Sequence, residues 1–421
     1  MQNTLLERDL QYIWHPFTPQ KNSAPVIPII RGKASLLFSE DGRSYIDAIS
    51  SWWVTLHGHA HPYIAERLYQ QALTLEQVIF AGFTHQPAVE LAERLLPFLP
   101  GSMTKIFYSD NGSTSTEVAI KMSIQYWWNQ GETQRNKILA FNNSYHGDTF
   151  GAMSVSDRSV FTLAFHNKLF EVIFIDTPTE YNIEALKSTV EQQANDVAAF
   201  IYEPLVQGAG GMKMYDAGLM NDLLVAAQTH NIICVADEVM TGFGRTGKLF
   251  ASNYMTAQPD IICLSKGLTG GTMALGVTAC SNKIHEAFVS DDKLKTFFHG
   301  HSFTANPLAC TAALASLDLL MKHECLQQIQ WITEQNEAFC KELANTKGIK
   351  KIRQTGTIPA FEIDNGNDEY LNNISQEVTS FCLEQGVYIR PLGNTVYLMP
   401  PYCITKEELS KVYSVLMKFL Q

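Results

Sequence analysis

Seven short apolar runs, rich in β-branched and aromatic residues, recur through the middle of the chain at residues 106–108, 137–141, 172–175, 198–202, 232–236, 261–264 and 274–279. None alternates with polar residues. Each therefore reads as a strand buried on both faces, the pattern of a mostly parallel sheet covered by helices. The segments between them carry helical spacing. Thr114-Ser115-Thr116-Glu117 ahead of Val118, Ile120 and Met122 predicts a helix opened by a capping box. The chain ends read differently. Residues 34–38, 387–389 and 396–398 predict shorter strands, and a long helical stretch follows residue 310. Thr405-Lys406-Glu407-Glu408 predicts a second capping box, with Leu409, Val412, Tyr413, Leu416 and Leu420 on one helical face behind it. The expected fold is α/β: a large domain over residues 61–305 with a mostly parallel seven-stranded sheet, and a smaller α+β domain assembled from residues 1–60 and 306–421.

Composition narrows function by exclusion. With 421 residues, 46% hydrophobic and 17% charged, the chain has material for more than one domain and a large core. A formal net charge of −11 and the lack of any Lys/Arg run argue against a nucleic-acid surface. No stretch approaches the ~20 apolar residues that cross a bilayer. The opening MQNTLLERDLQYIW lacks the apolar segment of a signal peptide. Eight cysteines (Cys234, Cys263, Cys280, Cys310, Cys325, Cys340, Cys382, Cys403) are scattered without a C-x-x-C pair, several inside apolar runs. That is the pattern of reduced, buried thiols. The expectation is a cytoplasmic protein acting on small-molecule substrates, with no nucleic acid and no membrane as partners.

In an open α/β sheet, ligands bind beyond the carboxyl ends of the strands, so the residues following each run are the candidates for chemistry. Asp110-Asn111-Gly112-Ser113-Thr114 follows the first run and precedes a helix. Free N–H groups there suit a phosphate, although an ordinary capped helix would look the same. Asp237-Glu238 ends another apolar run. Burying both acids is costly unless something cationic meets at least one, and placement at the surface is the plain alternative. Ser265-Lys266-Gly267 follows a third. A lysine there can snorkel to water, or, held between apolar walls, act as a nucleophile toward carbonyls. Phosphate cradle, strand-end carboxylate and strand-end lysine are together what pyridoxal 5'-phosphate (PLP) needs, and Tyr145 is available to cover its ring.

Two other patterns carry less. Gly242-Phe243-Gly244-Arg245-Thr246-Gly247 satisfies G-x-G-x-x-G, but a gap separates it from its strand and it opens no strong helix, so it argues little for a dinucleotide. His57, His59 and His61 alternate, with no Cys or acidic ligand nearby in sequence. A turn carrying exposed histidines is the expectation, and no metal site is assigned.

The run from Asp237 through Gly247, followed by Ser265-Lys266-Gly267 with Lys266 twenty-nine positions after Asp237, resembles the class III (ω-) aminotransferases of PLP fold type I. Trp14-His15-Pro16, Ser51-Trp52-Trp53, the segment from Tyr145 to Ser154, Arg390-Pro391-Leu392-Gly393 and the segment from Tyr397 to Tyr402 extend the likeness over nearly the whole chain. They point to the branch that aminates 8-amino-7-oxononanoate to 7,8-diaminononanoate in biotin biosynthesis. The alternatives within the family are other transaminases of ω-amino acids or diamines.

The resemblance implies a role for each matching residue. Lys266 would bond the cofactor and move the proton, Asp237 would pair with the pyridine nitrogen, and Tyr145 and Val239 would enclose the ring. Gly112 and Ser113 would hold the phosphate. Ser302, beside Gly300 and His301, would reach it from the partner subunit of a homodimer whose active sites are shared, with His301 at the cofactor and Gly300 at the substrate. Arg390 would bind the substrate carboxylate, while Phe17, Trp52 and Trp53 would line a channel for its aliphatic chain. Position 17 is Phe where many members of this branch carry Tyr, Ser302 replaces a more usual Thr, and Asn111 stands where Ser is common. The resemblance leaves S-adenosylmethionine and lysine as amino donors.

Overall fold

All seven apolar runs become strands of one sheet. A computed structural model describes residues 4–21, 26–364 and 374–421. Across the sheet the order is Met103–Ser109, Gly276–Ser281, Ile261–Leu264, Ile233–Asp237, Val197–Tyr202, Lys137–Phe141, Val172–Ile175. Only Gly276–Ser281 runs antiparallel to its neighbours. Because strand side chains alternate between faces, each strand feeds two cores. Ile233 and Val235 pack with Val118, Ala119 and Ile120 of the Gly112–Asn129 helix. Cys234 and Ala236 face the opposite way, into a core shared with Leu223, Leu224 and Leu264. Continuous hydrophobicity along these runs follows directly from both faces being covered.

The Gly112–Asn129 helix starts earlier than its sequence suggests. Asn111 is the N-cap, accepting the Thr114 N–H at 3.0 Å, and Thr114 closes the box by accepting the Asn111 N–H. Glu117, expected as the boxing acid, instead accepts from the Thr149 hydroxyl and the Ala152 N–H. The box at Thr405 forms as expected, with Glu408 as its acid. Behind it Leu409, Val412 and Leu416 are buried, while Tyr413 and Leu420 pack at the edge of the same core.

Residues 34–38 do not form one strand. Ile29–Lys33 and Leu36–Ser39 pair as a hairpin turned at Ala34-Ser35, with Ala34 at φ +52°. Val387–Tyr388 lies parallel to Ser44–Asp47, so the two chain ends share one four-stranded sheet. Thr395–Tyr397 joins Ile349–Thr355 and Ile358–Ile363 in a separate three-stranded sheet. The alternating histidines also depart from expectation. His57 is buried and bonded to the Ser316 hydroxyl, and His59 pairs with the buried Asp47.

Candidate active site

Parallel strands deliver their carboxyl ends to one edge, and there the loops after five of the seven strands enclose a chamber of about 660 Å³. Trp53, Gly112, Ser113, Tyr145, Asp237, Val239 and Lys266 all line it, together with His146, Asp148 and Glu203. Strand-end placement alone brings together side chains from distant parts of the sequence.

Asp237 is 5% exposed and satisfied on both oxygens. His146 Nδ1 stands 2.7 Å from Oδ2, and the Val239 N–H donates to Oδ1. Among the described residues no cation pairs with the neighbouring Glu238. It is fully buried rather than at the surface, and takes hydrogen bonds from the Thr241 hydroxyl and the Ala251 and Ser252 N–H groups, so neutral donors satisfy it. Lys266 turns out of its strand at φ +47°, with its Nζ 4.5 Å from the centroid of the Trp53 ring. Burial pulls its amine down to about 8, against the opposing pull of Asp237 and Glu203. Glu203 is pushed up to about 7 by burial, and its carboxyl accepts the N–H groups of Tyr145 and Gly208. Trp53 is held in turn by its indole N–H, which donates to the Tyr397 hydroxyl at 2.8 Å.

At the helix start, Asn111 spends its side chain on Thr114, leaving the Gly112 and Ser113 N–H groups for an anion. A Cβ on Gly112 would lie 2.8 Å from a Val239 methyl, so only glycine lets these two elements close on one another. The Ser113 hydroxyl accepts the Asp148 N–H and keeps its proton to donate. Tyr145 donates its hydroxyl to Asp148 at 2.9 Å, and burial, reinforced by that carboxylate, drives its phenol pKa far up. Tyr145 is thus a neutral ring. A phosphate seat, a covered aromatic slot, a buried carboxylate and a buried amine with lowered pKa make a donor set that fits PLP.

Trp52 and Phe17 are not among the residues lining the chamber but meet each other edge to face at 5.5 Å. The Arg390 guanidinium lies 4.8 Å from the centroid of the Trp52 ring, and among the described residues no carboxylate pairs with it. Gly300, His301 and Ser302 do not line the chamber of their own chain. Gly300 and Ser302 are exposed, and the Ser302 carbonyl accepts from Gln77. Sequence reasoning missed Glu203 and His146. The strand-end rule that found Asp237 reaches Glu203, directly after Val197–Tyr202, equally well. Nothing local marks His146 as the partner of an acid ninety-one positions away.

The aminotransferase class III family model matches residues 17–420. The chain is 46% identical to the adenosylmethionine-8-amino-7-oxononanoate aminotransferase of Synechococcus elongatus, covering 97% of this chain and 98% of the relative. Among solved structures, the enzyme of the same name from Methanocaldococcus jannaschii superposes with a TM-score of 0.94 at 33% identity, covering 98% of each chain. An amine transaminase from an uncultivated Pseudomonas species, solved in its PLP-bound form, gives 0.89 at 28% identity, covering 97% of this chain and 98% of that one. With the strand-end lysine and carboxylate lining one chamber, the chain belongs to the class III aminotransferases.

Proposed function

We propose that the chain transfers an amino group to the keto carbon of 8-amino-7-oxononanoate, giving 7,8-diaminononanoate for biotin biosynthesis, with S-adenosylmethionine as donor. The reading is carried by Lys266 and Asp237 sharing one buried chamber, in a chain so close to a relative of that name. PLP is the cofactor, and when bound it supplies an electron-accepting ring that stabilises negative charge on the carbon being deprotonated.

The chain's own residues do the rest. The Gly112 and Ser113 N–H groups and the positive end of their helix hold the phosphate. Asp237, oriented by His146, keeps a proton on the pyridine nitrogen. Tyr145 and Val239 fix the ring between them. Lys266 Nζ, poised near neutrality by burial, takes the proton from the donor's amine-bearing carbon and later delivers one to the acceptor's carbon. Arg390 binds the acceptor carboxylate through its planar fork, and Phe17, Trp52 and Trp53 shield the alkyl chain from water. Gly300, His301 and Ser302 serve the site of a second copy in a cytoplasmic homodimer. The exposed Leu294, Phe298 and Phe303 around that segment support an interface there.

The test is spectroscopic. PLP-loaded protein should lose its yellow absorbance on adding S-adenosylmethionine and regain it on adding 8-amino-7-oxononanoate, with the diamine detected by mass spectrometry. Bleaching by lysine alone would reassign the donor. Bleaching without diamine formation would overturn the acceptor.

A further inference from the structure

We propose that Phe161 is a specificity-determining residue, whose ring completes an aromatic wall along which the acceptor's alkyl chain lies between Arg390 and the cofactor. This rests on the acceptor named above and deepens it. Four rings stand in successive contact. Trp52, beneath the Arg390 guanidinium, meets Phe17 at 5.5 Å. Phe17 meets Phe161 at 5.9 Å, and Phe161 meets Tyr145 at 6.5 Å, each near edge to face. No described ring contact joins Phe17 to Tyr145 directly, so Phe161 is the link. One end of the wall is a guanidinium without a carboxylate partner among the described residues. The other is the ring at the lysine chamber. A molecule with a carboxylate at one end, a carbonyl near the other and an unbroken alkyl chain between matches that order of groups.

Phe161 is also a boundary. It borders a second cavity of about 480 Å³ beyond Tyr145, lined by the charged Lys213, Lys351, Asp157 and Glu362. Alkyl carbons entering that cavity would meet these charged groups as well as Val160 and Leu392. On the wall, where Phe17 is 47% and Trp52 43% exposed, they cover apolar surface. The ring is presented by a pinned turn: Thr162 Oγ1 donates toward the Asp157 and Ser159 carbonyls, accepts the Ser159 N–H and meets His166. Phe17 adopts φ +52°, an uncommon conformation for a bulky residue, in reaching the same contact.

Each buried methylene is worth roughly fourfold in affinity, so the wall should read chain length. Calorimetry on the PLP-loaded protein, with nonanoate and butanoate as probes, tests this. Wild type should bind nonanoate far more tightly. Phe161→Ala should weaken nonanoate about tenfold and leave butanoate within about twofold, and Phe161→Leu should recover most of the loss. The KM for the acceptor should rise with little change in the donor half-reaction. Full retention of length dependence in Phe161→Ala, or equal weakening of both probes, overturns the inference alone. A wild-type protein blind to chain length sinks the acceptor assignment and this inference with it.

Discussion

Lys266 shows how far one environment changes a side chain's chemistry. In the unfolded chain its amine titrates near 10.5, and in the folded apoprotein at about 8, because burial penalises the cation more than Asp237 and Glu203 support it. Capture of PLP needs the neutral amine, so the rate of loading at fixed cofactor should climb as pH rises through about 8 and level off above. A stopped-flow pH series would show this, and a rate flat across that range would refute it. The linkage has a definite sign. With the folded value depressed, Lys266 contributes stability to the apoprotein above about 10.5 that is lost as pH falls through about 8. The melting temperature of the apoprotein relative to Lys266→Met should follow that window.

Between residue and fold stand the elements that aim these groups. The Gly112–Asn129 helix is capped by Asn111 so that two N–H groups remain for an anion, and its first residue has no room for a side chain against Val239. In Gly112→Ala the new methyl would meet that valine at 2.8 Å, and the helix start must shift away from the ring slot. PLP affinity of the apoprotein, followed by fluorescence titration, should fall roughly tenfold or more while the overall fold, by circular dichroism, persists. Undiminished affinity would mean that the phosphate sits elsewhere. The sequence pointed to a capped helix at this place, but misassigned the cap by three positions. Thr114 and Asn111 both satisfy capping chemistry, and only the path of the preceding strand selects between them.

At the scale of the whole molecule, completeness of the site depends on parts remote in sequence. Arg390 reaches Trp52 because Val387–Tyr388 pairs with Ser44–Asp47, tying the two chain ends together just before each residue. Ser302, proposed to serve a second copy, allows a complementation test. Ser302→Ala and Lys266→Ala should each bind or turn over poorly alone. Mixed subunits should regain one intact site per heterodimer, pairing Lys266 of one copy with Ser302 of the other. If mixing restores nothing while heterodimers demonstrably form, Ser302 acts within its own chain or not at all.

By itself, the sequence determined the seven strands, their mostly parallel arrangement and the strand-end positions of Asp237 and Lys266. Burial on both faces leaves a local signature, an unbroken apolar run closed by a polar residue, that needs no knowledge of neighbours. Only the tertiary structure decided who meets whom: His146 on Asp237, the uncharged donors around Glu238, Glu203 pushed up to about 7 by burial, and Phe161 bridging Phe17 to Tyr145. Those contacts join residues by strand order and loop path. Desolvation and ring packing then act on whatever the topology has brought within a few ångströms, and none of that is written in the spacing of any one segment.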